Sequence, residues 1–240
     1  MSHLRAVLLP VDEAALSRRR SQNLGAPRAD SRGLVPSIRS FAQALDRQRQ
    51  ALEPVPVVSL ASADCEAIAR TLDDAEVAAL AVVVEEPQAD LARLASIARA
   101  STVPLLRADL LLEEFQIHES RAAGADAVLL HASLLPGESL ARLCGAARAT
   151  HMDACVVCTS AEEMDRAVAA RAPSLALGGD AVALAARAPR RLTLLAMAGD
   201  PSVLQGKLDA VLDFEIALSR DPASGFRSTL AKLEGTGVHQ

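Results

Sequence analysis

The residues of this chain that could do chemistry stand directly behind short apolar runs. Arg107 and Asp109 follow Val103-Pro104-Leu105-Leu106, and His131 follows Ala127-Val128-Leu129-Leu130. Arg107 with Asp109 has two readings, an anion-binding pair or a structural ion pair. His131 is the best-placed titratable ring, because an unperturbed imidazole changes charge near neutral pH. It reads as an acid–base group or as a structural histidine. Glu85 and Glu86 follow the run Ala78 to Val84 and read as free carboxylates or as the acidic start of a helix. Arg18, Arg19 and Arg20 form a short basic run, which reads as an anion or nucleic-acid contact or, more simply, as a solvated basic turn. His118 lies within a helical pattern and is expected on its solvated side.

Cys155-Val156-Val157-Cys158 has the spacing of a redox or zinc pair. That reading is weak here. The segment reads as a strand, and residues three apart on a strand point to opposite faces. No second metal-type pair accompanies it. Buried thiols are the expectation for Cys65, Cys144, Cys155 and Cys158, and neither a metal nor another cofactor is expected.

The positions of these residues are set by the elements around them. The stretch from Val103 to Leu130 contains an apolar run, a helical pattern from Glu113 to Ala123, a glycine at Gly124 and a second apolar run. Strand, helix, glycine and strand within about thirty residues make one βαβ unit. The rest of the chain repeats it. Apolar runs at Val55–Leu60, Ala78–Val84, Ala154–Val157, Leu175–Leu177, Leu192–Ala196 and Ala210–Leu212 alternate with helical patterns. Asp64, Ser160, Asp180 and Asp200 are expected N-caps, Ser160 with Glu163 in capping-box spacing. Gly124-Ala-Asp-Ala-Val-Leu-Leu is echoed four repeats later by Gly206-Lys-Leu-Asp-Ala-Val-Leu, as expected of a barrel of two halves.

Eight strand–helix repeats predict an α/β fold, a single (β/α)8 barrel over residues 51–235. Residues 1–50 are an N-terminal extension with one helix, in which Ile38, Phe41, Ala42 and Leu45 fall at helical spacing. The stretch from Ser17 to Gly33 is expected to be exposed or mobile, and residues 236–240 form a tail. No G-x-G-x-x-G follows the first strand, which counts against a dinucleotide-binding sheet.

Composition narrows the function. The chain has 240 residues, half of them hydrophobic, with four Phe, no Trp or Tyr and a formal charge of −5. A core of Ala, Leu and Val follows. Nucleic acid is not an expected partner, since stacking platforms are few and the net charge is negative. No apolar run is long enough to cross a bilayer, and the N-terminus lacks the apolar core and cleavage site of a signal peptide. The expectation is a cytoplasmic protein without a membrane partner.

The stretch from Pro104 to Leu130 resembles the indole-3-glycerol-phosphate synthase family. That family typically reads P-x-L-R-K-D-F-I-I-D-x-Y-Q-I-x-E-A-R-x-x-G-A-D-A-x-L-L there. Pro104, Leu106, Arg107, Asp109, Gln116, Ile117, Arg121, Gly124, Ala125, Asp126, Ala127, Leu129 and Leu130 match it. The resemblance extends as architecture from Phe41 to Leu233. It implies a TIM barrel, a carboxy-lyase of tryptophan biosynthesis, and an active site at the C-terminal strand ends.

The departures fall at those ends. Ser59 stands where the family has a glutamate and Ala61 where it has a lysine. Ala108 replaces the general-acid lysine, Val157 a catalytic glutamate, and Met197 with Ala198 a glutamate and serine. Glu215 falls on a glycine that lets phosphate approach the backbone. Ring closure with loss of carbon dioxide and water needs donors and acceptors of tuned pKa. None of these replacements shuttles a proton as the family residues do, and Asp200, Asp213 and Glu215 put negative charge where phosphate would bind. The expected protein has lost the catalytic set and acts as a scaffold, partner or regulator, with a protein partner or a second copy of itself. The alternatives are an active lyase using Arg107, Asp109 and His131, or a small-molecule-binding barrel. In the non-catalytic case Ala61, Ala108, Val157 and Ala198 are expected to turn inward.

Overall fold

The computed structural model describes residues 13–26, 28–29, 32–46, 51–198 and 201–235. Eight parallel strands close on themselves in sequence order. They are β1 (Glu53–Ser59), β2 (Leu80–Val83), β3 (Leu105–Ala108), β4 (Ala127–His131), β5 (Asp153–Cys158), β6 (Ser174–Leu177), β7 (Thr193–Ala196) and β8 (Ala210–Asp213). The ring closes where β1 pairs with β8, Glu53 opposite Ala210 and Pro56 opposite Asp213. The (β/α)8 barrel expected from the alternation is the fold observed.

Helices pack around the wall: α3 (Cys65–Asp74), α4 (Pro87–Ala100), α5 (Glu114–Ala122), α6 (Gly137–Ala149), α7 (Ala161–Ala169), α8 (Ala181–Arg187), α9 (Pro201–Leu204) and α10 (Pro222–Gly235). Two more precede the barrel, α1 (Glu13–Gly25) and α2 (Phe41–Leu45). Each strand alternates its side chains between two apolar layers. Leu80, Val82, Leu105, Val128, Leu130, Val156 and Cys158 pack outward against the helices. Val55, Val57, Ala81, Val83, Leu106, Ala108, Leu129, Cys155 and Val157 fill the barrel interior, with Phe41 and Leu45 packed into the same layer. Cys155 and Cys158 therefore lie on opposite faces of β5, and all four cysteines are buried and unpaired. Burial pushes the thiol of Cys144 up to about 11 and that of Cys155 to about 12. Such thiols are poor nucleophiles at neutral pH. Among the described residues no cluster of His, Cys, Asp and Glu could hold a metal ion.

The two-half echo is visible in the backbone. Gly124 and Gly206 both take positive φ, +91° and +73°. Asp126 and Asp209 then each grip the strand before their own. Asp126 accepts from the Leu105 N–H at 3.1 Å and donates its own N–H to the Leu105 carbonyl at 2.9 Å. Asp209 does the same with Leu194, at 2.7 and 2.8 Å. Gly124 is also constrained by space: a Cβ there would lie 2.5 Å from the Cβ of Ala98 on α4.

Ser160 and Asp180 cap α7 and α8 as expected, accepting from Glu163 and Ala183. Asp64 occupies the cap position of α3 without a side-chain bond, and Asp200 lies outside the described residues. The segment before the barrel differs from expectation. Ile38 is 97% exposed and precedes a shorter helix. Residues 13–25 are helical rather than irregular. That helix shapes the site.

Candidate functional site

The C-terminal mouth of the barrel is where the expected site residues gather, and α1 lies across it. Leu16, Arg19 and Asn23 are its buried residues. They are spaced three and four apart, so they share one face. Arg18 and Arg20 point to solvent, but Arg19 is only 5% exposed. Its Nη2 donates to Asp109 Oδ1. The solvated-turn reading of the basic run fails at this position. Helical periodicity, hidden by the polar composition of the segment, was the signal that could have found it.

Asp109 is fully buried and joins two guanidinium groups. Arg107 Nη2 and Nε donate to its Oδ2 at 2.7 and 3.2 Å, and the Leu110 N–H donates to Oδ1 at 2.6 Å. Arg107 has no exposed surface. Its place in β3 turns it outward between the strand and α5, where Nη1 donates to Glu119 Oε2 at 3.2 Å and to Ser120 Oγ at 3.1 Å. Glu119, Arg107, Asp109 and Arg19 thus form a continuous charge chain from the outer helix to the mouth. Of the two readings of Arg107 and Asp109, the structural pair describes their bonds, and Arg19 extends it. Burial lowers the pKa of the Arg19 guanidinium, and Asp109 opposes that shift.

His131 ends β4 on the inward face. It is 2% exposed, and neither Nδ1 nor Nε2 has a hydrogen-bond partner. Burial pulls its pKa from 6.5 to about 4, against the opposing pull of Asp109 and Glu163. It is therefore a neutral ring at pH 7. Glu85 is half-buried and accepts from Ser59 Oγ at 3.2 Å, while Glu86 is exposed and accepts from Gln22 of α1 at 3.0 Å. His118 is not solvated: it is 9% exposed, with Nδ1 3.4 Å from the Ala29 carbonyl, because the chain leaving α1 runs over α5.

The four small residues at the departures divide. Ala108 is fully buried and Val157 is 3% exposed, both in the interior layer. Ala61 and Ala198 are exposed, so the expected inward turn fails for these two. They lie beyond the ends of β1 and β7, where strand alternation no longer aims the side chain. Met197 takes the inward place beside Ala198, at 5% exposure.

Among the described residues, backbone amides after β2, β5 and β8 are already occupied by carboxylates of the chain itself. Asp90 accepts from Glu85 and Glu86 after β2, both at 2.9 Å, and Glu163 accepts from Thr159 after β5 at 2.6 Å. Asp213 accepts from Glu215 and Ile216 after β8, at 2.8 and 3.0 Å. The last pair lies at the start of the 3-10 turn Ile216–Leu218. A phosphate arriving there would meet an internal carboxylate on the same N–H groups.

A parallel (β/α)8 barrel with its polar groups gathered at the C-terminal strand ends is the architecture of barrel enzymes and their derivatives. Within that class the chain belongs to the indole-3-glycerol phosphate synthase family, whose model matches residues 14–177. The match takes in α1, which the resemblance from Phe41 onward left out. Proteins named indole-3-glycerol phosphate synthase from Rhodococcus opacus and Rhodococcus jostii are each 38% identical over 144 residues, covering 54% of this chain and 54% of theirs. One from Neisseria meningitidis is 42% identical over 77 residues, covering 31% and 30%. The matches thus span about half the length of the first two relatives. Two solved structures share the fold at low identity. Orotidine 5'-phosphate decarboxylase from Pyrococcus horikoshii has a TM-score of 0.62 at 12% identity, covering 75% of this chain and all of that one. Thiamine phosphate pyrophosphorylase from Pyrococcus furiosus has 0.59 at 14%, covering 77% and 98%.

The packing at Ala108 makes a prediction. An unpaired ammonium in a dry interior is costly, and so is added volume in a filled one. Ala108→Lys is expected to destabilise the protein by about 2 kcal/mol, read from urea denaturation. An unchanged midpoint would mean that the lysine reaches water and that the mouth is open.

Proposed function

We propose that this family member has given up the ring-closing reaction and works as a non-catalytic partner or regulator beside an enzyme of tryptophan biosynthesis. One observation carries the reading. The inward positions at the ends of β3 and β5 hold Ala108 and Val157, packed in apolar surroundings. The reaction named for the relatives needs groups that give and take protons, and an alanine methyl and a valine isopropyl do neither. The occupied amides after β8 point the same way for the phosphate, since Asp213 takes the N–H groups of Glu215 and Ile216.

The competing reading, an active synthase, is favoured by the names of the relatives. It would have to recruit His131, Glu85 or Arg19, none of which stands at a position the resemblance makes catalytic. Complementation separates the two. A tryptophan auxotroph lacking its synthase is expected not to grow when it carries this chain, and the purified protein should turn over no indole precursor above background. Rescue of growth would overturn the proposal.

A further inference from the structure

Helix α1 is attached to the mouth by polar contacts. Besides the Arg19–Asp109 pair, Gln22 donates to Glu86, and Asn23 bonds Glu113 and Gln116 at 3.3 and 3.2 Å. Leu16 is its one buried hydrophobic residue. Cavities of about 360 and 300 Å³ lie against it, the larger walled by Val84, Leu110, Asp109, Glu85 and Glu86 together with Arg18 and Arg19. A helix docked this way is held largely by polar contacts, with cavities left between it and the wall.

The fit of Arg19 is incomplete. Its Nη2 meets Asp109 and, at 3.5 Å, the Val84 carbonyl. Its Nε and Nη1 are buried with no partner. Buried polar groups left unpaired are rare and costly. Two such donors on one tethered head, beside a cavity walled by Glu85 and Glu86, indicate that an untethered cation could reach acceptors that Arg19 does not.

The chemistry of that occupant follows from charge. The described rim amides after β2, β3, β5 and β8 are already capped by Asp90, Asp109, Glu163 and Asp213. Glu85 and Glu86 add negative charge on the cavity wall. The group that sits on Asp109 is itself a cation on an alkyl stem, and Val84 and Leu110 line the cavity beside it. We infer that the mouth is a binding site for a small organic cation, an alkylguanidinium or alkylammonium compound, whose head takes the place of Arg19 on Asp109 and turns its remaining N–H groups to Glu85 and Glu86 on the cavity wall. Helix α1 then acts as the resident competitor, displaced when the ligand enters. The inference rests on the non-catalytic reading only in leaving the mouth free of the family substrate.

Chemical rescue tests it without any turnover measurement, so its failure leaves the question of catalysis untouched. In the full-length Arg19→Ala variant, millimolar ethylguanidinium is expected to raise Tm saturably, by about 3 °C at tenfold excess over its dissociation constant. Sodium chloride at equal ionic strength and acetate should not do so, and the Arg19→Ala/Asp109→Ala double variant should not respond. Arg19→Gln, which keeps the stem and removes the charge, serves where the alanine variant does not fold. Butylammonium tests whether an ammonium head suffices. A response to neither cation, a non-saturating response matched by sodium chloride, or an equal response without Asp109 would each overturn the inference.

Discussion

Asp109→Ala is expected to destabilise the folded protein by about 3–5 kcal/mol, because it strands two buried guanidinium groups. Removing one partner of a buried ion pair costs far more than the pair contributes, since the remaining charge keeps its desolvation penalty and loses its compensation. Arg107 has no exposed surface and would keep only Glu119 and Ser120. Arg19 would keep only a weak contact with the Val84 carbonyl. The two positions should therefore be strongly coupled. Adding Arg19→Ala to Asp109→Ala removes one of the stranded charges, so the double variant should lose less than the sum of the two single variants by about 1 kcal/mol or more. Urea denaturation of the four proteins measures this. Additive losses would show that Arg19 does not depend on Asp109, and the picture of a latched helix would fall with them.

The second large effect is a loss of stability in mild acid caused by His131. Its folded pKa, about 4, lies below the 6.5 of the unfolded chain. Between those values the unfolded state binds a proton that the folded state does not, so stability falls as pH falls through that window. The shift corresponds to roughly 3 kcal/mol lost by the lower end. The groups that resist the loss are Asp109 and Glu163, whose negative charge favours the imidazolium. His131→Leu should flatten the pH profile between 6.5 and 4 relative to wild type. At pH 7 it should cost little or stabilise slightly, because it removes two unpaired nitrogens. Parallel profiles for the two proteins would mean that the ring titrates normally and is hydrated.

Both predictions follow from contacts that bring distant residues together, and this marks the division between what the sequence by itself determined and what it did not. Alternating apolar runs and helical patterns determined the barrel, because strand and helix periodicities are local properties of a chain. The Gly124 and Gly206 segments determined the two-half echo, since a positive φ and an aspartate two or three residues on are read from neighbours. The strand of Cys155 and Cys158 gave opposite faces for the same reason. Residue type alone also carries the proposed loss of chemistry: whatever surrounds Ala108 and Val157, they have no proton to move.

Only the tertiary structure decided the rest. Arg19 and Asp109 stand ninety positions apart, and nothing in a basic run says that its second arginine turns inward while Arg18 and Arg20 stay in water. Ala61 and Ala198 were expected inside by analogy with Ala108 and Val157. Alternation stops where a strand stops, and their exposure was set by loop geometry. The unpaired state of His131 is likewise a property of its surroundings, since a partner for a buried ring can come from any part of the chain. Burial, charge pairing and orphaned polar atoms are sums over neighbours in space, and a linear sequence does not order them.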